Sequence, residues 1–536
     1  MTKIVINTVS TYFAKNLQMI GFSSPQKAFL TTIKEFIDNS LDACNEHKIL
    51  PEIELLVEKL GPGHTKNTDR IRVVITDNGP GIEKEDVAKA FGVMLASNKF
   101  GRYRVTRGVQ GLGASAAVMW GQLTNASGIK IISKTKSMKQ AYSCMVEIDI
   151  SNNTGVPKEE KSLNWDRQSG LRAELIIDGK IQLNGESGIL NFLTGTCLMN
   201  PDLNLKYKFP DMDEIEIKRV SETPKVIPDP VSPHPHTLKL GEFISHLHLF
   251  SEKTSLFLKT RFSRVSDSTI KEINNRLEAR GILSKKTDDL SDNDLKDLYR
   301  AVQETKLLPP STSSLTSVGE EALSESIKRL GNVDFFSVVT RKPTVCDFKP
   351  IQIEVALARV SDKKTEDDPV QVLRFANFVP LLFEKNSDVS IEAIQSVNWR
   401  AYGLNQSKGS LPTGPYIFAI SVISPFIKFK NSSKEAIDAS DELLEEVRLA
   451  LIQAGQKLAK HIKKEEKEKD LEKKRAYIEQ FAPVLLDTVF RISKEPKKRR
   501  KAAESGLKKI LGRDEKDAED QLKQAEKSLI KLKEKE

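Results

Sequence analysis

Three short segments near the N-terminus constrain this chain most, because together they carry residue types that are typical of a single binding site. They cover residues 35–43 (EFIDNSLDA), 77–81 (DNGPG) and 107–113 (RGVQGLG). Acidic and amide side chains, a carboxylate beside a sharp turn and a glycine-rich loop are groups that hold a metal ion, a base and phosphates. The chain contains no G-x-x-x-x-G-K-[S/T] motif, so any bound nucleotide would be held without a P-loop.

The first segment is predicted to lie on a helix. Apolar residues recur at helical spacing through it, namely Phe29, Ile33, Ile37, Leu41 and Cys44. This spacing places Glu35, Asn39 and Asp42 together on the opposite face of the helix. A solvated polar face on an ordinary surface helix would have the same pattern, so the helix alone does not establish a site.

The second segment ends a predicted strand. Residues 71–76 (IRVVIT) are rich in β-branched side chains, and the sequence DNGPG stops the strand abruptly. A plain turn would explain this pattern too. In the functional interpretation, Asp77 accepts a hydrogen bond from an exocyclic amine, which suits adenine, and Gly79 and Gly81 let the backbone approach the base.

The third segment is a glycine-rich turn before a good helix-forming run, residues 114–120 (ASAAVMW). Such turns bind phosphate through free backbone N–H groups at the positive end of the helix. Glycines also serve simple turns, so this signal is weak alone. The three segments in this order and spacing predict a nucleotide site.

In this order, the motifs E-x-x-x-N-x-x-D-A, D-x-G-x-G and G-x-x-G-x-G resemble the ATPase superfamily (GHKL) of gyrase, the 90-kDa heat-shock chaperone, sensor histidine kinases and mismatch-repair proteins. Within it, the chain is most similar to the B subunits of archaeal-type DNA topoisomerase VI, over residues 5–465. This narrower resemblance is carried by residues 21–25 (GFSSP), 91–95 (FGVML), 97–100 (SNKF), 106–108 (TRG), 340–343 (TRKP), 373–377 (LRFAN) and 433–437 (SKEAI).

The resemblance implies an α/β multidomain fold. An α+β sandwich ATPase domain of the Bergerat type is expected over residues 1–226, ending where prolines cluster. A helical helix–two-turn–helix insert follows over 227–308 and a ribosomal S5-like α/β transducer over 309–465. A long helix, over about 440–474, is expected to leave the transducer and lead into a basic helical tail, 466–536.

The resemblance also implies ATP and Mg²⁺ as cofactors and assigns the site residues. Glu35 would be the catalytic general base that polarises the attacking water, and Asn39 would ligate the magnesium. Asp77 would bind the adenine amine, and Asn98 and Lys99 would lie beside the nucleotide. The phosphates would be wrapped by Gly108, Val109, Gln110, Gly111, Leu112, Gly113, Ala114 and Ser115.

Two positions depart from the family pattern. The family usually has a threonine at the adenine end, where this chain has Leu171. The family also brings a lysine from the second domain to the γ-phosphate, and alignment on residues 433–435 puts Phe426 at that place. Lys428 would lie on the same face of a strand two residues later and is the substitute that the sequence offers.

The implied function is that of the B subunit of a type IIB DNA topoisomerase. ATP binding would dimerise two copies of the chain around a DNA segment, and a partner A subunit would cleave, pass and religate double-stranded DNA in an A2B2 heterotetramer. Residues 1–13 are expected to reach across to the other copy's ATPase domain, the alternative being a strand packed on its own domain. A chaperone-like or mismatch-repair-like ATPase clamp without a cleaving partner is the other function class.

Composition predicts a cytoplasmic protein, and the resemblance implies that it is associated with the nucleoid. The chain has no apolar run near 18 residues and no signal-peptide pattern, so no membrane partner is expected. Four widely spaced cysteines (Cys44, Cys144, Cys197 and Cys346) are predicted to be reduced thiols in the core.

The positive charge is concentrated at the C-terminus. From Lys460 onward there are 24 basic and 17 acidic residues, a net charge of +7 out of +9 for the whole chain. Pro483 and Pro496 are expected to break the helical pattern of this tail. Either a solvated mixed-charge helix or a flexible basic arm that touches DNA phosphates fits this composition.

Overall fold

The computed structural model describes residues 8–97, 103–108, 111–278, 280–360, 367–431, 433–493, 499, 501–503 and 505–506. The chain divides into two compact units, Met1–Gln456 and Lys457–Glu536. The domain boundaries expected from the sequence remain predictions.

The first half of the chain forms an eight-stranded sheet. Its strands are β1 (Glu52–Pro62), β2 (Asp69–Asp77), β3 (Ile129–Lys134), β4 (Ala141–Asp149), β5 (Thr154–Leu163), β6 (Gly170–Gly179), β7 (Asn204–Lys208) and β8 (Ile215–Ile217). Their order across the sheet is β5-β4-β3-β6-β2-β1-β7-β8. All neighbours run antiparallel except β1 and β7, which are parallel.

Helices pack on this sheet around one apolar core. They are α1 (Val9–Lys15), α2 (Pro25–Glu46), α3 (Lys84–Gly92), α4 (Gly113–Asn125) and α5 (Ile189–Met199). Alternate residues of β1 (Ile53, Leu55, Val57) and the apolar stripe of α2 from Phe29 to Leu41 belong to the same buried cluster, as the two periodicities require. The predicted strand at 71–76 and helix at 114–120 are confirmed, and so is the layered α/β architecture.

The expected arm at residues 1–13 is a helix in its described part. The hydroxyls of Thr8, Ser10 and Thr11 all donate to the carbonyl of Ile150, at 2.7–3.1 Å. The Thr8 side chain also caps α1 by accepting from the Thr11 N–H. The residues from Thr8 onward are therefore packed on their own domain, whereas residues 1–7 lie outside the described part of the chain.

A helical insert follows the sheet. It contains α6 (Leu240–Leu247), α7 (Thr254–Arg261), α8 (Asp267–Arg276) and α9 (Asp292–Glu304). Ser266 and Ser291 cap α8 and α9 through their side-chain oxygens. The helices surround an aromatic core that includes Phe243, Phe257 and Phe262, which agrees with the helical block expected between 227 and 308.

A buried histidine lies just before this insert. His234 donates through Nε2 to the carbonyl of Leu308 at 3.2 Å, and its Nδ1 accepts from the His236 N–H at 3.3 Å. Burial lowers the pKa of His234 to about 4, and the neighbouring His236 contributes. With a donor on one side and an acceptor on the other, the imidazole is held neutral.

Lowering the pH from about 7 to about 4 is expected to destabilise the wild-type chain more than the His234→Gln variant. His234 binds a proton in the unfolded chain below pH 6.5 but in the folded chain only near pH 4. The stability present above pH 6.5 is therefore lost as the pH falls, on the order of 2–3 kcal/mol. Glutamine keeps a donor but does not titrate. Urea unfolding of both chains across this range measures the difference, and parallel pH profiles would contradict the prediction.

A second sheet occupies the chain after the insert. The helices of this part are α10 (Glu320–Ile327) and α11 (Val389–Ser396), and its strands are β9 (Val333–Thr340), β10 (Thr344–Cys346), β11 (Lys349–Val360), β12 (Gln371–Ala376), β13 (Val379–Leu381), β14 (Asn405–Gln406), β15 (Pro412–Thr413) and β16 (Tyr416–Ile423). The main sheet has the order β10-β11-β16-β12-β13, with β9 also paired to β11. Strands predicted at 351–357 and 416–423 are confirmed.

The last described element is the long helix α12 (Asp441–Ser493). The sequence predicted its start correctly but not its end, because Pro483 lies inside the helix instead of breaking it. A proline removes one N–H donor and disturbs the preceding turn, but the helix of 53 residues continues on both sides of it. Pro496 lies outside the described residues, as does most of the basic tail.

All four cysteines are buried and unbridged, as expected of core thiols. Within the described ranges, every helix is too short or too polar to span a lipid bilayer.

Candidate functional site

A cavity of about 700 Å³ lies where α2, the end of β2 and the start of α4 meet. Its size is within the range of small-molecule and nucleotide pockets. The predicted site residues that line it are Glu35, Asn39, Asp77, Gly108, Gly111, Leu112, Gly113, Ala114 and Ser115. Asn98, Lys99, Val109 and Gln110 lie outside the described residues. The structure therefore brings all three sequence segments to one cavity.

Helix α2 positions the acid and the amide. Ser24 caps the helix by accepting from the Lys27 N–H, and Pro25 occupies its first turn. The apolar stripe from Phe29 to Cys44 is at most 1% exposed, so Glu35 and Asn39 on the other face point into the cavity. The polar face of α2 thus lines a site and is not simply solvated.

Glu35 lies against the first residue of α4. An ideal Cβ on Gly113 would overlap the Glu35 carboxylate, so any larger residue here would displace that carboxylate. Lys34 approaches Oε1 of Glu35 at 3.3 Å and Oδ2 of Asp38 at 3.2 Å. Although burial alone would lower it, the pKa of Lys34 is raised by these two carboxylates.

We expect Gly113→Ala to abolish most ATP hydrolysis, because the added methyl group would displace the Glu35 carboxylate from α4. Gly241→Ala is a matched control, since a Cβ there meets no atom within 4 Å. Steady-state hydrolysis and thermal melting of both variants measure the effect. Wild-type turnover in a folded Gly113→Ala chain would show that the Glu35 position is not critical.

Asp77 lies at the end of β2 with three hydrogen-bond donors around it. Its Oδ2 accepts from Ser40 Oγ at 2.5 Å, and Oδ1 accepts from the N–H groups of Gly79 at 2.9 Å and Leu171 at 3.1 Å. A carboxylate has about four acceptor positions, so about one remains, on Oδ2. Burial raises the pKa of Asp77, and the three hydrogen bonds oppose this shift.

Ser40 supplies the hydroxyl that the sequence lacks at position 171. Leu171 contributes only its backbone N–H to Asp77, while the hydroxyl comes from α2. The sequence did contain this hydroxyl next to a predicted site residue, because Ser40 follows Asn39 directly. It was missed because the pairing with Asp77 joins residues that are 37 positions apart.

The glycine-rich loop ends in an α4 terminus that is open to a ligand. Leu112, the residue before α4, has no side-chain acceptor for the first N–H groups of the helix. Gly111 has a φ of +61°, and a Cβ there would lie 2.7 Å from the Ala96 carbonyl oxygen. This end of the helix therefore offers backbone donors and the positive end of its dipole to an anion.

The lysine that enters the site from the segment after β16 is Lys434, not Lys428. Lys428 is 70% exposed and pairs with Asp438 at 2.7 Å, and Phe426 stacks on Tyr103. Lys434 lines the cavity and donates to the Arg107 carbonyl at 3.3 Å. Burial lowers the pKa of Lys434, and the charge of Glu35 opposes this shift. The strand-face argument for Lys428 was wrong because residues 424–428 are not in a strand.

Asp42 forms a buried ion pair that the sequence did not reveal. Its Oδ1 lies 2.7 Å from Arg107 Nη1, with both side chains at most 5% exposed. Its oxygens also accept from the backbone N–H groups of Arg107 and Gly108 at 3.2–3.3 Å. Asp42 therefore anchors the glycine-rich loop to α2 and does not share the cavity with Glu35.

Comparison with known protein families identifies two domains of the chain. The profile described as "Histidine kinase-, DNA gyrase B-, and HSP90-like ATPase" matches residues 27–167. The profile described as "Topoisomerase VI B subunit, transducer" matches residues 310–474. The chain thus has a GHKL ATPase domain, which binds ATP, and a transducer domain.

Similar proteins extend this finding over most of the chain. The B subunit of type 2 DNA topoisomerase 6 from Archaeoglobus fulgidus is 34% identical over 493 residues, covering 91% of this chain and 80% of that protein. The protein of the same name in Methanococcoides burtonii is 33% identical over 479 residues, covering 89% and 75%. Among solved structures, the ATPase region of Saccharomyces cerevisiae topoisomerase II has a TM-score of 0.41 at 10% identity, covering 87% of this chain and 98% of that chain, which is too weak to support a conclusion. From its sequence relatives, the chain belongs to the family of type 2 DNA topoisomerase 6 B subunits and is the ATPase subunit of a type IIB DNA topoisomerase.

Proposed function

We propose that the cavity binds ATP with Mg²⁺ and hydrolyses it with Glu35 as the general base. The observation that carries the proposal is that Glu35, Asp77 and the open N-terminus of α4 all line one cavity of about 700 Å³. This combination offers a base for water, an acceptor for adenine and donors for phosphates. Phosphoryl transfer needs mainly such positioning and charge stabilisation.

Asp77 would select adenine. Its one remaining acceptor position, on Oδ2 beside Ser40 Oγ, would take the N6 amine of the base. Guanine has a carbonyl oxygen at the corresponding position, which would oppose the carboxylate without a proton between them. Leaving a buried polar group unpaired in this way is costly.

Asn39 would hold the magnesium ion. Its amide oxygen is a suitable ligand for a hard cation, and it lies one helical turn beyond Glu35 in the cavity wall. Among the described residues, no three or more His, Cys, Asp or Glu side chains cluster as a metal cage, so phosphate and water oxygens would be the other ligands. The ion would neutralise charge on the phosphates.

Lys434 would contact the terminal phosphate from the transducer side. It enters the cavity near Glu35 and the start of the glycine-rich loop, and its ammonium group would stabilise negative charge there. Because Lys434 belongs to the transducer, its contact with the phosphate would link hydrolysis to movement of that domain.

ATP binding would dimerise two copies of this chain around a DNA segment, with a partner A subunit cleaving and rejoining the DNA in an A2B2 assembly. The N-terminal segment remains the candidate clasp, now restricted to residues 1–7 because α1 and its cap Thr8 are held on Ile150.

Deleting residues 1–7 is expected to abolish dimerisation with a non-hydrolysable ATP analogue while leaving the monomer folded. This deletion keeps the Thr8 cap and the contacts of α1, so it removes only the clasp. Sedimentation velocity with and without the analogue measures association. The matched control is the intact chain carrying Val9→Ala, an exposed position on α1. A truncated chain that still dimerises with the analogue would refute the clasp, and an intact chain that stays monomeric would refute nucleotide-driven dimerisation.

A further inference from the structure

The hairpin between β12 and β13 ends in a strained two-residue turn. The strands pair up to Ala376 and Val379, which leaves Asn377 and Phe378 at the tip. Their φ angles are +47° and +72°, as in the turns that suit tight hairpins. Asparagine tolerates this left-handed conformation, but a bulky aromatic residue rarely adopts it. The conformation of Phe378 therefore depends on contacts made at the tip.

Asn377 connects this tip to the start of the glycine-rich loop. Its Nδ2 donates to the Thr106 carbonyl at 3.3 Å and to the Ser424 carbonyl at 2.9 Å, and its Oδ1 accepts from the Ser424 N–H at 2.9 Å. Thr106 directly precedes Arg107. One transducer side chain thus holds the backbone where the phosphate-binding loop begins.

Phe378 packs against the buried side chain of Arg107 and the half-buried side chain of Lys225. Its ring centroid lies 3.5 Å from Lys225 Nζ and 5.8 Å from the guanidinium carbon of Arg107. Both cations donate to Oδ1 of Asn200, at 3.2 Å and 2.6 Å. An aromatic face attracts desolvated cations, so the ring helps to hold Arg107 beside its partner Asp42.

We propose that the hairpin tip, Asn377 and Phe378, is a positioning element of the nucleotide site that fixes the start of the glycine-rich loop through Thr106 and Arg107. This inference rests on the proposed function, in which that loop binds the phosphates. Residues 106–108 and 373–377, two segments that carry the family resemblance, meet at this contact. The tip is a second connection between transducer and loop, separate from Lys434.

Loss of this contact should weaken nucleotide binding more than turnover. The loop would hold the phosphates in both the ground state and the transition state, and weakening such a uniform interaction raises KM with little change in kcat. The contribution of one or two hydrogen bonds corresponds to about a threefold to tenfold loss of affinity.

Asn377→Gly and Phe378→Leu test the tip in the full-length chain. Glycine keeps the left-handed φ while removing the hydrogen bonds of the side chain, and leucine removes the aromatic face. Phe348→Leu is the matched control, because Asp347 and Phe348 form a similar tip between β10 and β11 with φ of +48° and +57°. Phe348 stacks on His234, not on the glycine-rich loop.

Calorimetric binding of a non-hydrolysable ATP analogue, steady-state ATP hydrolysis and thermal melting are measured for all four chains. We expect Kd and KM to rise about threefold to tenfold for the Asn377 and Phe378 variants, with kcat within about twofold of wild type. Phe348→Leu should lower the melting temperature without changing Kd.

Unchanged Kd in both tip variants would overturn the inference, and so would losses of affinity that simply follow melting temperature across all three variants. Failure of the wild-type chain to bind the analogue would instead refute the proposed function. The two failures are therefore distinguishable.

Discussion

Replacing Glu35 by glutamine is expected to lower ATP hydrolysis by about 100-fold or more while nucleotide affinity stays within about twofold of wild type. Glutamine has the shape of glutamate, so the packing against Gly113 is preserved. It cannot accept a proton from the attacking water, however. A loss confined to turnover is the result expected for a general base.

Single-turnover hydrolysis and titration with a non-hydrolysable ATP analogue separate the two quantities. Glu147→Gln is a suitable control, because Glu147 is a surface carboxylate of the same domain paired with Lys158, and such pairs contribute little. Undiminished turnover in Glu35→Gln would exclude Glu35 as the base. An equal loss in the control would point to general damage to the domain.

Replacing Asp42 by alanine is expected to lower the free energy of unfolding by about 3–5 kcal/mol. The variant leaves the guanidinium of Arg107 buried without its carboxylate, and the side chain of Arg107 is only 1% exposed in the wild type. It also removes the acceptors for the N–H groups of Arg107 and Gly108. Both losses act on the start of the glycine-rich loop.

A double variant, Asp42→Ala with Arg107→Met, shows whether the unpaired charge of Arg107 causes the loss of stability. Removing both charges ends the cost of a buried unpaired cation, so the double variant should be more stable than Asp42→Ala alone. Urea unfolding of the wild type, the single variant and the double variant measures the three free energies of unfolding. A double variant less stable than the single one would show that Arg107 stabilises the fold through Asn200 and Phe378 more than through Asp42.

The sequence by itself determined the elements that carry the site. The apolar stripe of α2 repeats every three or four residues, β2 is a β-branched run closed by Asp77 and a glycine turn, and α4 opens with glycines. Periodicity and turn chemistry act between neighbours in the chain, so they can be read from spacing alone. The family resemblance then indicated which residues of these elements would contact the nucleotide.

Two expectations from the sequence about local conformation were wrong. The family resemblance suggested that residues 1–13 form an arm, but hydroxyl contacts with Ile150 hold a helix on its own domain from Val9 onward. Pro483 suggested a break, but α12 continues past it. Propensity is a weak preference that tertiary contacts and long regular hydrogen bonding override.

Only the tertiary structure decided which polar residues meet. Asp42 looked like a third member of the cavity face, yet Arg107 takes it into a buried pair. Lys434 reaches the site across 327 positions of sequence to contact the Arg107 carbonyl, while Lys428 remains on the surface. Buried charges require partners, and the partners here are 65 and 327 positions apart in the chain, so no spacing within one segment could have identified them.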